Sequence, residues 1–502
     1  MIEVTNDSGT LLKIEEHNFE IDGAKKSLDY DLLHLLAEKG DLEAITRFYE
    51  QSVREDDLTK SNDIPLRTQT EHVRVSFIVL PVIGYGPLHH CQMYLNELNG
   101  DDSVQTHIVI GGHGERTLDY DSEVASVVKL PPLQYSQDIS QALIEEKIAT
   151  DEVTADYCEE VIERLSLSSP NVVVIHNMFA GFFDSPPVRT EVIEAVTNWC
   201  KENKIPIVDC AMDNQNVYIK NDAQQKKFLN AINNSVSAVA VRGPYVDLFE
   251  SSTPLISTPE FESLRNKIVP LGYMQPTFTQ PPSKEIFDIL FPKQVIAISA
   301  GGSDYASGLF NKSLEAYVCA HETKSQISSQ PWVIFVGAHL SQEDSDKLKD
   351  IAQKTTEKTG TFFGHDLRIY PALPPGWYYQ MIKDRTICAI TQAGQTTVSI
   401  LNDTGVPLVM SPYTPGGESS PEQQRRADYY EKVLERSFTF PVDESPQFLH
   451  DLICNAVTKG PCTAPTDLNG GARLAKLVKH LAVGYSDIKT LRDEFISEIV
   501  VK

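Results

Sequence analysis

The sequence lacks several features, and each absence closes off a class of function. No stretch approaches the roughly 18 consecutive apolar residues that a membrane-crossing helix needs. The opening residues, MIEVTNDSGTLLKIEEHNFE, are acidic and hold no continuous apolar run, so they do not have the form of a secretory signal. The eight cysteines are scattered without a CxxC pair, which argues against a disulfide framework or a zinc site. Cys91, Cys319 and Cys388 sit inside apolar stretches, as buried thiols do. A cytoplasmic protein is expected. Basic residues are outnumbered by acidic ones, 44 to 70, for a net charge of −26. That charge sets the surface against nucleic-acid phosphates and anionic lipid. The basic clusters are short: Lys25–Lys26 and Arg425–Arg426. GxxxxGK[ST] is absent, which excludes P-loop ATP hydrolysis, and no GxGxxG followed by an acid supports nicotinamide chemistry.

At 502 residues the chain is too long for one core, and its organisation divides it. Residues 1–70 form an accessory segment. Within it, SLDYDLLHLLAEKGDLEAITRFYEQSVRE has helical apolar spacing at Leu32, Leu33, Leu35, Leu36, Ile45, Phe48 and Tyr49, broken at Gly40. A helical hairpin is expected there. AEKGDLEAI resembles half an ankyrin repeat, but no second copy follows, so a helical cap on the next domain is the simpler reading.

From Val73 the texture is α/β. Buried-strand runs at VRVSFIVLPVIG, VQTHIVIGG, NVVVIHN, IPIVDCA and VSAVAVRG alternate with helical segments, which implies a doubly wound parallel sheet over 71–275. The proline-rich IVPLGYMQPTFTQPPSKEIFDILFPK has the composition of an interdomain linker. A second α/β series, 276–483, opens with VIAISAGG and runs through PWVIFVGA, DLRIYPAL, TICAITQAG and VPLVMSPY. The terminal helix, 484–502, can pack back on either domain. The fold class expected is α/β, two Rossmann-like domains facing each other across a cleft, with the extra N-terminal helical segment. In open sheets of this kind ligands bind outside the carboxyl ends of the strands.

Two turns in the second series have the form of anion sites. Gly301, Gly302 and Ser303 stand between a strand and a helix, where glycine permits close backbone approach and a helix start attracts negative charge. Ser303 and Asp304 serve equally well as plain N-caps. Gly394, with Thr396 and Thr397 opening the next helix, repeats the pattern. Two such turns in one domain can hold a diphosphate from both sides.

These turns, followed by SPEQQRRADYYEKV, make the second domain similar to the nucleotide-sugar half of GT-B glycosyltransferases, in particular MurG and its relatives. The GGSD stretch also resembles nucleotide-sugar hydrolases of the same fold. The resemblance covers about 290–440 by motif and 72–290 by pattern alone. It implies that Gly301, Gly302 and Ser303 hold phosphate, that Gly394, Gln395, Thr396 and Thr397 lie against the diphosphate, and that Gln423 and Gln424 bond the sugar hydroxyls. A glutamine amide offers both a donor and an acceptor for that task; an exposed helix face is the competing reading of the pair. The loop 372–376, ALPPG, would flank the base. The family carries a ribose-binding glutamate six residues after the turn glycine, where this chain has Ile400; Asp403, about one helical turn further on, is the candidate to bind the ribose in its place. A deoxy-sugar nucleotide such as a dTDP-sugar, or a degenerate donor site, would fit that change.

In the first domain, PVIGYGPLHHCQMYLNELN resembles the strand–loop–helix that carries an acceptor-deprotonating histidine in many members. The family position is Pro87 here; His89 and His90 follow it and are the expected catalytic residues, since imidazole titrates near neutrality. Either can equally be a helix-start residue without chemistry. His113, His176 and Asp209 lie at strand ends and are expected to line the acceptor cleft. The implied activity is hexosyl transfer from a nucleotide-diphosphate sugar, UDP- or dTDP-linked, to a soluble acceptor. Neither a metal nor a further cofactor is implied. Alternatives are a hydrolase or epimerase of the same fold, or a non-catalytic nucleotide-sugar-binding scaffold that recruits a protein partner through the N-terminal helices.

Overall fold

A computed structural model of the chain describes residues 2–5, 11–15, 18–21, 72–79, 91, 94–95, 98, 101–112, 126–132, 151–176, 187–211, 230, 233–242, 264–274, 291, 293–337 apart from 301–306, 342–370, 375–412, 421–463, 467, 469–484 and 487–500. Two parallel sheets organise it. Their strands are the β-branched, apolar runs of the sequence, buried on both faces as helix-covered parallel strands must be.

Ahead of these sheets lie three short antiparallel strands, β1 (Ile2–Thr5), β2 (Leu11–Glu15) and β3 (Asn18–Ile21). Their register sets apolar residues opposite one another: Ile2 with Ile14, Val4 with Leu12, Ile14 with Phe19 and Leu12 with Ile21. The helical hairpin expected over the following residues lies outside the described residues, and the small sheet is an addition to the expected accessory segment. Alternation of Ile2 with Val4 and Leu12 with Ile14 around the turn-forming NDSG was the signal for it.

The first large sheet contains β4 (Val73–Val79), β5 (Val104–Gly112), β6 (Ser126–Pro132), β7 (Val172–His176), β8 (Ile207–Ala211), β9 (Ala238–Arg242) and β10 (Ile268–Gly272). Their spatial order is β10-β9-β8-β7-β4-β5-β6, every pair parallel. Side chains alternate between two cores. Val173 and Ile175 of β7 join the core beneath α1 (Asp151–Ser168) and α2 (Pro187–Glu202), while Val172 and Val174 face the opposite one. β10 corrects the linker reading of IVPLGYM: its residues are a fully buried strand, and Pro270 is tolerated because β10 is the sheet's edge.

The second sheet contains β11 (Val295–Ser299), β12 (Trp332–Phe335), β13 (Leu367–Tyr370), β14 (Thr386–Thr391), β15 (Leu408–Met410) and β16 (Ser437–Thr439), in the order β13-β12-β11-β14-β15-β16. Its helices are α3 (Ser307–Thr323), α4 (Gln342–Thr359), α5 (Pro375–Arg385), α6 (Gln395–Thr404), α7 (Pro421–Lys432) and α8 (Pro446–Lys459). Both sheets therefore carry the Rossmann order, with a switch point between the first and fourth strands: β4/β7 in one, β11/β14 in the other.

After Gly470 the chain returns to the first sheet. α9 (Gly470–Ala482) and α10 (Ile488–Val500) cover its second face with Leu474, Leu477, Val478, Leu491 and Phe495. This return begins ahead of the 483 boundary drawn from the sequence. The crossing is fastened to the end of β10. Gly470 N donates to Tyr273 O at 2.8 Å, and Met274 bridges Asn469. A Cβ on Gly470 would stand 2.7 Å from Tyr273 O, so the close approach requires glycine. Arg473, 3% exposed, donates from Nη1 to Leu271 O at 2.8 Å, from Nη2 to Asp467 at 2.7 Å and from Nε to Glu498 at 3.0 Å.

The eight cysteines are free thiols; Cys91 and Cys388 are buried as expected, while Cys319 is only half-buried. No helix among the described residues is long and apolar enough to cross a membrane.

Arg473→Met should lower the unfolding free energy by about 3 kcal/mol, because it strands a buried carboxylate and a buried carbonyl. Urea denaturation measures this; a loss below about 1 kcal/mol would show that the crossing does not depend on the guanidinium.

Candidate functional site

The carboxyl ends of β11 and β14 adjoin, with Ser299 paired to Thr391. The chain then leaves them for helices on different sides, α3 packing in one core and α6 in the other; in sequence, one of the two glycine stretches follows β11 and the other follows β14. Gly301, Gly302 and Ser303 themselves fall outside the described residues; Ala300, which precedes them, is buried. The backbone of the Gly394 turn is described, while the side chains of Gln395 and Thr396 fall outside the described residues.

That turn presents N–H groups and withdraws carbonyls. Ser411 N donates to Thr391 O at 2.8 Å. Gly394 N donates to Gln392 O at 2.7 Å, a three-residue turn about Ala393, and Thr391 Oγ1 donates to the same oxygen at 2.9 Å. Arg426 Nη1 donates to Ala393 O. Val398 N donates to Gly394 O at 3.0 Å, the first bond of α6. All four carbonyls from Thr391 to Gly394 thus accept from protein donors. The N–H groups of Gln395, Thr396 and Thr397, in the first turn of α6, have no intrahelical acceptor by the geometry of a helix start. Partial positive charge collects there.

Gly394 is needed neither for backbone conformation nor for packing. It is not among the glycines at positive φ, and a Cβ added to it meets no atom of the described residues within 4 Å. A glycine in that position leaves the surface of the turn open to close approach.

Arg426 is fully buried. The sequence pair Arg425–Arg426 reads as a surface cluster, but only Arg425 is exposed. Arg426 shares the inward side of α7 with Ala427 and Tyr430, both in the core with Ala393, Val398 and Leu401 of the turn and α6. Its spacing from Tyr430, i to i+4, was the available signal that it faces inward. The same helix carries Gln423 and Gln424, both half-buried; Gln424 Nε2 donates to Asp428 Oδ1 at 2.9 Å.

Beside the turn, α5 is tied to β11: Ser299 Oγ and Tyr378 OH share a 2.8 Å hydrogen bond. Burial pushes the Tyr378 phenol up to about 12, and the Ser299 bond partly offsets this. Tyr378 packs edge-on against Phe335, which stacks on Tyr370. The strand ends of β11, β12 and β13 and the start of α5, whose first two residues, Pro375 and Gly376, close the ALPPG stretch, are therefore joined in one aromatic unit.

Ile400, on α6, is 8% exposed and lies against the core. Asp403 is on the same helix, its side chain outside the described residues. In the first domain His89, His90 and His113 lie outside the described residues. His176 and Asp209 are described and buried. His176 ends β7 as expected, but Asp209 lies in the middle of β8, which runs on through Cys210 and Ala211; Ile175 pairs with Asp209 and His176 with Cys210. Tyr94, raised well above its usual range by burial, also feels Cys210, Arg242 and Asp209, so these groups form one buried cluster against β8 and β9. No grouping of His, Cys, Asp and Glu suited to a metal ion occurs among the described residues.

Comparison with known proteins bears on this arrangement. No family model matches the sequence, and no curated protein does. Solved structures do match. A UDP-glucosyltransferase from Polygonum tinctorium, 15% identical, covers 87% of this chain and 100% of its own, with a TM-score of 0.52. Glycyrrhiza uralensis UGT73P12, in complex with glycyrrhetinic acid 3-O-monoglucuronide, is 13% identical over 86% of this chain and 96% of its own, with a TM-score of 0.51. TcCGT1, solved in complex with UDP, is 12% identical over 85% and 99%, again with a TM-score of 0.51.

The fold is GT-B.

In GT-B terms, the β11/β14 switch point belongs to the C-terminal Rossmann-like domain, and α9 and α10 are the segment that returns to the N-terminal one. Identity this low carries the fold and no more, so what the site does has to be argued from its own residues.

Gly394→Ala should change stability by less than about 1 kcal/mol, since the Cβ points into open space and the entropy gained by the substitution offsets the lower preference for alanine at the N-cap of α6. A large loss of melting temperature would show that the glycine is there for the fold.

Proposed function

We propose that the protein transfers a sugar, of the hexose type, from a nucleotide-diphosphate donor to an acceptor. The observation that carries this is the Gly394 turn at the switch point of a GT-B C-terminal domain, with its four carbonyls held by protein donors and the first N–H groups of α6 without helical partners. A diphosphate is the leaving group best served by such a place. Its charge grows as the glycosidic bond breaks, and preorganised N–H groups stabilise it without reorganisation.

In this reading Gly301, Gly302 and Ser303 hold the diphosphate from one side and Gly394, Gln395, Thr396 and Thr397 from the other. Gln423 and Gln424, carried on the helix that Arg426 ties to the turn, bond the sugar hydroxyls. The Gln424 bond to Asp428 occupies part of its amide and leaves the carbonyl oxygen as acceptor. His89 or His90 takes the proton from the acceptor hydroxyl, and His113, His176 and Asp209 shape the acceptor side. Helix starts neutralise the leaving group, so the reaction is written without a metal. Positioning the acceptor oxygen against the anomeric carbon supplies much of the remaining rate enhancement.

The burial of Ile400 favours a second reading for part of the site. A carboxylate that accepts from two ribose hydroxyls has no counterpart in an aliphatic side chain held in the core. Either a dTDP-sugar, whose deoxyribose offers one hydroxyl fewer, is the donor, or the chain binds nucleotide sugars without transferring them.

A thermal-shift panel of UDP, dTDP and GDP tests the site. At about 100 times its dissociation constant a bound diphosphate adds about 2.7 kcal/mol of stability. UDP or dTDP should raise the melting temperature, and Ser303→Ala with Gln395→Ala should reduce that rise; an unchanged rise in the double variant would remove these residues from the site. With Ile400 in the core, UDP and dTDP should bind within about threefold of each other, whereas a site that grips the ribose would separate them by about tenfold or more. Incubation with UDP- and dTDP-sugars, with and without acceptor mixtures, then separates transfer from release to water and from binding alone.

A further inference from the structure

We propose that Arg426 is the positioning residue of the diphosphate site: by holding the Ala393 carbonyl, it keeps the peptide between Ala393 and Gly394 in the one orientation that an anion tolerates. The proposal rests on the reading of the β11/β14 crevice given above.

The argument is one of inventory. Four carbonyls stand in the turn from Thr391 to Gly394, each a potential source of negative charge beside the start of α6. Three are held by the local backbone ladder: Thr391 O by Ser411 N at the β14–β15 junction, Gln392 O by Gly394 N, and Gly394 O by Val398 N in the helix itself. Two of those bonds follow from forming the strand and the helix, and the third closes the three-residue turn between them. The fourth, Ala393 O, is held by a side chain 33 residues further along, on α7. Among the described donors to these four oxygens, Arg426 is the only side chain from outside the turn.

Glycine makes the hold necessary. The peptide that ends at Gly394 has no Cβ on its far side, and the open space around Gly394 offers no steric resistance to rotation. Released from Arg426, the Ala393–Gly394 peptide is held only by the Gly394 N bond to Gln392 O; exchanging that single turn bond lets the Ala393 carbonyl swing toward the helix start, where it would accept from the N–H groups of α6 itself and set negative charge where the phosphate oxygens belong. The same glycine that lets a ligand approach therefore lets the turn close on itself, and the guanidinium prevents it.

The choice of arginine follows. A fully buried guanidinium is costly to desolvate and is retained only where its donors are used. Its planar fork can bond a carbonyl while staying charged at every accessible pH. The positive charge lies just beneath the first turn of α6 and adds to the field of the helix start. In a chain of net charge −26, local positive charge of this kind is what allows a dianion to approach.

The test is calorimetric titration of the intact protein and of Arg426→Gln and Arg426→Lys with UDP and with uridine, alongside melting temperatures. Arg426→Gln should weaken UDP by at least about tenfold and leave uridine within about twofold, because the base and sugar contacts do not pass through the turn. Arg426→Lys, which keeps the charge but not the fork, should fall between. A merely structural role would lower the melting temperature and weaken both ligands alike. Folded variants that bind UDP as the parent does overturn the proposal while the site reading stands. A parent protein that binds neither UDP nor dTDP overturns both. Should neither variant fold, a crystal structure of the parent with UDP decides: Ala393 O still on Arg426 and directed away from the diphosphate supports the proposal, and an Ala393 carbonyl that has left Arg426 overturns it.

Discussion

Everything proposed for this chain depends on one pairing, the parallel register of β11 with β14 that sets Ser299 beside Thr391. Because the strands run the same way, both connections leave from the same end. Because the Rossmann order reverses at this pair, they leave toward different sides, and a crevice must open between them. The start of α6 follows the described turn at the end of β14, with Gly394 as the residue before the helix. The rest of the second domain serves this arrangement. The Phe335, Tyr370 and Tyr378 stack stiffens the strand ends, the Ser299–Tyr378 bond ties α5 to them, and the core beneath α6 and α7 fixes the turn to the helix that follows.

The electrostatics of the molecule run against the proposed ligand, and the local structure has to reverse them. An overall charge of −26 repels a nucleoside diphosphate at long range. At physiological ionic strength that repulsion fades over about 8 Å. Inside that distance the field is set by what stands in the turn: N–H groups pointing outward, carbonyls drawn inward, and a buried guanidinium below. A site of this kind needs no surface lysines, and a search for basic patches in the sequence therefore passes over it.

Much of the architecture was legible in the residues. The runs TICAIT and VIAIS, buried on both faces, read as parallel strands, and Gly394 before a threonine pair read as a helix start on a strand end. What stayed hidden has physical reasons. β10 was masked by Pro270, which reads as linker until its place at the sheet edge is known. The three N-terminal strands are too short for their alternation to outweigh the helical stretch that follows. The return of α9 to the first sheet depends on Gly470 and on Arg473, whose partners Leu271 and Glu498 are remote in sequence. Arg426 is the sharpest case. Composition counts it with Arg425 as a basic pair, whereas packing buries it beneath the turn it controls. Contacts between distant segments are what local pattern cannot supply, and most of this site is made of them.

Hydrogen–deuterium exchange of the intact protein, with and without saturating UDP or dTDP, tests the central claim most directly. The account predicts added protection confined to peptides spanning the β11 turn, 299–308, and the start of α6, 392–400, with the amino ends of the strands unchanged. Protection that appears elsewhere and not at these two turns, or no protection with any nucleoside diphosphate, would contradict it.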